Sequence, residues 1–172
     1  MRLVEGAVEV DDVDAFVANL DGIASETGAT VQAFDARFVV SRRHLERAVE
    51  LADRAIERGE NVARDRAVEI LLYAAGRRQI TDALELGVSE GSNRVVILVD
   101  ADGGVATGEV AEADAAEAVR SRVLDSVEPT LGDYDADRVR AYFDVSDAEL
   151  AVVDGDLAAL VCERVALLVV EK

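Results

Sequence analysis

Arg94-Val-Val-Ile-Leu-Val-Asp100 is the stretch whose reading decides the fold. Five consecutive apolar and mostly β-branched residues between charged ends read as a buried-type strand, because a half-exposed strand would alternate. Working outward, Met1 to Val10 does alternate and reads as a first strand. Asp11 to Thr27 reads as a helix that Asp11 or Asp12 can cap, with Val13, Phe16, Val17 and Leu20 as its apolar stripe and Gly28 as its stop. Ala29 to Val40, rich in Val and Phe, reads as a second strand. Ser41 then caps a helix to about Arg58, stopped by Gly59, and a further helix runs from about Val62 to Ala75. Gly76 interrupts, and a third helix continues to Leu86, closed by Gly87. On the other side of the central run, Asp102-Gly-Gly104 reads as a tight turn with a partner strand after it. Ala111 to Asp125 reads as an acidic helix. Pro129 marks a break before weaker helical patterns to about Val161, and Val165 to Glu171 reads as a β-rich final strand. Strands at both ends with helices between them imply an α+β fold: a single domain over residues 1–172, with a mixed, mainly antiparallel sheet and packed helices.

Composition narrows the class. About half of the 172 residues are apolar (51%), enough for a core and unlike a disordered chain. The longest apolar run, Val165 to Val170, falls far short of the roughly 20 residues of a membrane span. The first residues turn acidic at once and hold no apolar signal core, so a cytoplasmic protein is expected. Cys162 is the only cysteine, so no internal disulfide can form, and its apolar surroundings read as core. A lone Cys and a lone His, His44, cannot build a zinc site of the usual ligand sets, and neither a metal nor a cofactor is expected. Net charge is −18, from 36 acids against 18 bases, and Lys172 is the only lysine. Such an acid-rich, Lys-poor composition resembles cytoplasmic proteins of extreme halophiles.

Against that background residues 37–78 stand apart. They hold ten Arg and seven acids, a local charge of +3, while the remainder holds eight bases and 29 acids, or −21. In the helix after Ser41, Arg43, Arg47, Arg54 and Arg58 fall within about 60° of one another. They form either a solvated face laced with ion pairs, Glu50 to Arg54 for example, or a stripe that tracks phosphates. The next helix is apolar nearly all round and should be buried. Arg66, Tyr73 and Arg77, spaced i, i+7 and i+11, share one narrow face of it. Tyr73 is then either a ring on which a base stacks between two phosphate-reaching arginines, or half-buried packing.

Gly76-Arg-Arg-Gln-Ile80 joins two helices. The second of them begins with free N–H groups that favour an anion. Arg78 adds a forked donor, Gln79 can read a base edge or a sugar hydroxyl, and Ile80 can wall a small pocket. The alternative is an ordinary helix–helix corner hinged at Gly76.

Asn61, Leu71-Leu-Tyr-Ala-Ala-Gly76, Arg78-Gln-Ile80, Gly87-Val88 and Val95 to Val99 together resemble the Cgi family of KEOPS subunits, relatives of the PRPK-binding protein. The specific match covers about residues 60–100. A looser one runs the whole length, including a C-terminal Leu-Leu-Val-Val strand. The resemblance implies a non-catalytic subunit of the complex that makes threonylcarbamoyladenosine next to the anticodon of tRNA. Such a subunit docks on the small Bud-type kinase/ATPase and stimulates it, and it contacts the remainder of KEOPS only indirectly. It also captures tRNA by the single-stranded 3′ CCA end. Carried over by motif, Arg78, Gln79 and Ile80 are the expected tRNA-binding residues, with Asn61 by position and Arg64 and Arg77 as phosphate contacts from charge and geometry. The kinase-binding face is guessed to lie near Leu157 to Val161.

Two other readings compete. One is a pure protein-binding adaptor without tRNA contact, against which only the Arg-Gln-Ile corner argues. The other is a Mg-dependent haloacid-dehalogenase-type phosphatase, because Val95 to Val99 leads into Asp100-Ala-Asp102-Gly. There one Asp attacks phosphorus and the second serves as acid and base. Such enzymes also need a Lys and a downstream acidic pair, and the only Lys here is the final residue. Asp102-Gly-Gly is equally an ordinary turn.

Overall fold

The computed structural model describes residues 1–101 and 105–171. In chain order these form β1 (Arg2–Val10), α1 (Val13–Thr27), β2 (Thr30–Asp35), a 3-10 turn (Ala36–Phe38), α2 (Arg42–Arg58), α3 (Arg66–Ala75), α4 (Ile80–Ala83), a second 3-10 turn (Leu84–Leu86), β3 (Gly91–Asp100), α5 (Val105–Arg122), β4 (Ser126–Val127), α6 (Ala136–Tyr142), α7 (Asp147–Val152) and α8 (Leu157–Glu171). The class is α+β, as the alternation of patterns implies. The chain divides into two compact units, Met1–Asp35 with Gly87–Thr130 and Ala36–Leu86 with Leu131–Lys172.

The first unit is built on the central apolar run. Its strands take the order β2-β3-β1-β4, and every pairing is antiparallel, so the expected mixed sheet is antiparallel throughout its described strands. β3 has a neighbour on each side, with Gly6 opposite Val95 and Thr30 opposite Asp100. That interior place is why Val95 to Val99 can be unbroken apolar and fully buried. Phe16, Leu20 and Ile23 of α1 and Ala115, Ala116 and Val119 of α5 pack on Val4, Val8, Val95, Ile97 and Val99. Asp12 proves to be the α1 cap, accepting from the Ala15 N–H at 3.1 Å. Val17, expected in the apolar stripe, is exposed. At Gly6 the chain has no room for a side chain: a Cβ would lie 2.2 Å from the Ser126 carbonyl oxygen, because β4 crosses there.

The second unit is helical. Ser41 caps α2 and Gly59 ends it in the left-handed region, both as the sequence implies. α3 starts later than expected, at Arg66 with Asp65 as its cap. The buried Glu69 carboxylate accepts the Val62 and Ala63 N–H groups at 3.1 and 2.8 Å, which holds those residues in a loop. The expected third helix is only the single turn of α4 followed by a 3-10 turn.

Three expected strand features are corrected. The second strand stops at Asp35, and Ala36–Phe38 coils into a 3-10 turn. The turn at residues 102–104 lies outside the described residues, and α5 follows it where a partner strand was expected. The final strand at Val165 to Glu171 is part of α8. Buried Leu157, Leu160, Val161, Val165 and Leu168 recur at helical spacing across that whole stretch. The β-branched residues favour a strand locally, but a continuous apolar face packed on α2 and α3 outweighs that preference. Leu157 and Val161 are thereby core and not the exposed apolar residues expected there.

Candidate functional site

α3 ends where its sequence says it must. Gly76 adopts φ 62°, and the N–H groups of Gly76 and Arg77 turn back to the carbonyls of Tyr73 and Leu72, each at 3.0 Å. This closes the helix and throws the chain into a corner. Beyond it Arg77 turns inward. Its guanidinium lies 4.5 Å from the centre of the Tyr142 ring and donates to the Tyr142 carbonyl. The Tyr142 hydroxyl in turn donates to the Asp82 carbonyl at 2.8 Å. Burial pushes the Tyr142 phenol up to about 12 against the opposing pull of Arg77, so it stays a neutral donor. The corner is therefore tied to α6 on both sides.

Between those ties Arg78, Gln79 and Ile80 face outward. All three are exposed, and Gln79 takes the α4 cap position without a side-chain bond to the helix. Ile80 is 44% exposed and Leu84, one turn on, is 55% exposed, giving an apolar ridge in water. Beside this ridge opens a cleft of about 620 Å³, lined by Phe38, Arg77, Asp82, Glu85, Arg138, Ala141 and Tyr142. Phe38 and Tyr142 meet edge-on at 5.6 Å within the lining. Arg138 is paired with Asp135 at 3.3 Å.

The remaining sequence-predicted residues divide. Asn61 donates to the Ala63 carbonyl at 2.8 Å, and Arg64 is exposed in the same loop. That loop precedes α3, whereas Arg78 follows it. A ten-residue helix separates the two groups by about 15 Å. Tyr73 is corrected: only 1% of it is exposed, so its ring has no open face for a base and belongs to the packing alternative. Arg66, expected on the same face, is held by Asp53 at 2.7 Å. Arg77 lies beyond the helix end at Gly76, and its guanidinium rests against Tyr142 in the lining of the cleft.

On α2 the ion-paired alternative is realised for Arg43 and Arg47 of the stripe, while Arg54 and Arg58 are exposed with no ion pair among the described residues. Arg42 meets Glu46 at 2.9 Å, and Glu50 receives both Arg43 and Arg47 at 3.2 and 3.1 Å instead of the expected Arg54. His44 is fully buried, accepts the Val40 N–H at Nδ1 and donates from Nε2 to the Ala74 carbonyl at 2.8 Å. Burial lowers its pKa to about 4. Cys162, expected in the core, is half-buried, and burial raises its thiol. Asp100 closes β3 with its carboxylate 3.2 Å from the Met1 amino group, and its suggested catalytic partner Asp102 lies outside the described residues.

Sequence reasoning missed the cleft. Phe38 and Tyr142 are more than a hundred residues apart, and only the spacing of Asp82 and Glu85, i and i+3, could have flagged two carboxylates on one side of a turn.

Residues 9–168 match the family described as kinase binding protein CGI-121. No curated protein matches the chain.

Proposed function

Since the chain belongs to the CGI-121 family of kinase-binding proteins, we propose that it is a non-catalytic regulatory subunit that docks on a Bud-type kinase/ATPase and presents the 3′ end of tRNA. In this reading it serves the KEOPS complex in the cytoplasm. Arg78, Gln79 and Ile80 hold the unpaired CCA end. Arg64, at the other end of α3, meets the backbone further along.

One observation carries the tRNA part: a cation, an amide and an aliphatic side chain stand side by side and exposed on a corner that is fixed from beneath. Single-stranded ends are recognised by stacking or apolar contact, hydrogen bonds to base edges and a phosphate-binding cation, which is this set. Surrounding acidity supports the same division of labour. Phosphate contacts lose affinity steeply with salt. In a charge field of −21 outside residues 37–78, long-range attraction contributes little, and short-range contacts must select the end.

A gel shift of the purified chain in high potassium chloride tests this, with one tRNA intact and the same tRNA lacking CCA. Binding to the intact tRNA alone supports it. No binding to either refutes the tRNA part and leaves the kinase-binding adaptor, to be followed by co-purification with the kinase.

A further inference from the structure

The cleft next to the corner carries an inference about what kind of end is accepted, and it rests on the tRNA-end reading above. Ile80, Asp82, Leu84 and Glu85 belong to one short run, α4 and the 3-10 turn after it. Ile80 and Leu84 form the exposed ridge, while Asp82 and Glu85 line the cleft. A chain end resting on the ridge thus has two carboxylates beside it. Of the two cations of the same lining, Arg138 is paired with Asp135, while Arg77 is held in place by the uncharged ring and carbonyl of Tyr142 and keeps its charge. The lining thus sets two carboxylates against one uncompensated cation, and a phosphate seated against Asp82 and Glu85 would meet negative charge at contact distance, where salt screens poorly.

Carboxylates in a nucleic-acid site serve as acceptors. They take hydrogen bonds from ribose hydroxyls or from exocyclic amino groups. A 3′ terminus differs from every internal nucleotide in offering two adjacent ribose hydroxyls and no following phosphate. We propose that Asp82 and Glu85 read the free 2′,3′-hydroxyls of the terminal ribose, so that the cleft accepts an RNA chain end with free hydroxyls and rejects one that carries a 3′-phosphate. The Phe38 and Tyr142 rings supply the apolar wall, and a ligand cleft of this volume is of ordinary size.

The test uses the purified chain in high potassium chloride with three forms of one tRNA: ending in CCA with free hydroxyls, ending in CCA with a 3′-phosphate, and truncated before CCA. The expected result is binding of the first form, loss of affinity by about tenfold or more for the second, and loss also for the third. The variant Asp82→Asn with Glu85→Gln, altering two exposed side chains, should bring the phosphorylated form to within about threefold of the hydroxyl form. Its unfolding midpoint should match the wild type. Equal affinity for hydroxyl and phosphate ends, with truncated tRNA still rejected, overturns this inference and leaves the tRNA-end reading standing. Discrimination against phosphate that survives the double substitution also overturns it. Equal binding of intact and truncated tRNA overturns both.

Discussion

Lowering the pH from 8 to 5 should destabilise this protein through one residue, His44. In the folded chain its ring is fully enclosed and neutral, with Nδ1 accepting from Val40 and Nε2–H donating to Ala74. Protonation would place a second N–H against the Val40 N–H and bury a charge without a counter-ion. The folded pKa falls to about 4 from an ordinary 6.5. Between those values the unfolded chain binds the proton and the folded chain does not. Stability is therefore complete above pH 6.5 and declines as pH falls toward 4. Linkage gives a loss of about 2 kcal/mol at pH 5, rising to about 3 kcal/mol near pH 4. The carboxylates of Glu26, Glu50 and Glu149, each lowered by an arginine hydrogen bond, add their losses only below their ordinary 4.5. The interval from 6.5 to 5 thus belongs to His44. Denaturant unfolding at pH 7.5, 6 and 5 measures the decline. Because the sequence has a single histidine, its imidazole resonance can be followed without assignment and should not titrate above pH 5 in the folded state. A folded-state midpoint near 6.5, or stability that is flat from pH 6.5 to 5, would refute the argument.

Other outcomes follow from the same geometry. Gln79→Ala with Ile80→Ala should weaken tRNA binding in high potassium chloride more than Arg43→Ala with Arg47→Ala, whose arginines are already paired with Glu50; equal losses in a gel shift would contradict short-range recognition. Glu69→Ala should cost about 1–3 kcal/mol, since it strands the Val62 and Ala63 N–H groups, and denaturant unfolding at neutral pH would expose the opposite result as an unchanged midpoint. Leu168→Ala should cost about 2–5 kcal/mol while Leu167→Ala stays within about 0.5 kcal/mol; thermal unfolding that ranked them the other way would contradict the helical placement of α8.

Local chemistry made much of this fold legible. Ser41 and Gly59 bracket α2 because a hydroxyl cap and a left-handed glycine are needed at those two places and nowhere between. The unbroken run at Val95 to Val99 announced an interior strand, and β3 is one. The failures share a cause. Val165 to Val170 is locally β-like, and only its continuity with Leu157, Leu160 and Val161 reveals a helical face, a pattern visible over twelve residues but not over six. Glu69 looked like one acid among many, yet its buried carboxylate shapes the loop that delays α3. At the site, Arg78, Gln79 and Ile80 are exposed, whereas the burial of Tyr73 was not legible, because a helical wheel gives its face of α3 but not what packs over that face, and Arg77 follows the break at Gly76 that the wheel ignores. The cleft was illegible because its two ends, Phe38 and Arg138 to Tyr142, meet only through the tertiary fold.

The arginine-rich segment also changes meaning once folded. As sequence it is a +3 island, and a charge count alone points to a phosphate-binding surface. Folded, Arg42, Arg43, Arg47 and Arg66 meet carboxylates of their own unit, and Arg77 lies against Tyr142. A partner seeking phosphate contacts from Arg42, Arg43 or Arg47 would have to break these pairs, and exposed pairs of this kind contribute about 0–1 kcal/mol each to the fold. Breaking them is cheap in itself, but every arginine withdrawn leaves a glutamate facing the incoming phosphates. The first half of the stripe is thus close to neutral toward a polyanion, which is the condition under which a small uncharged contact decides binding. On the proposed reading, that contact is the ridge of Ile80 and Leu84 beside the Gln79 amide.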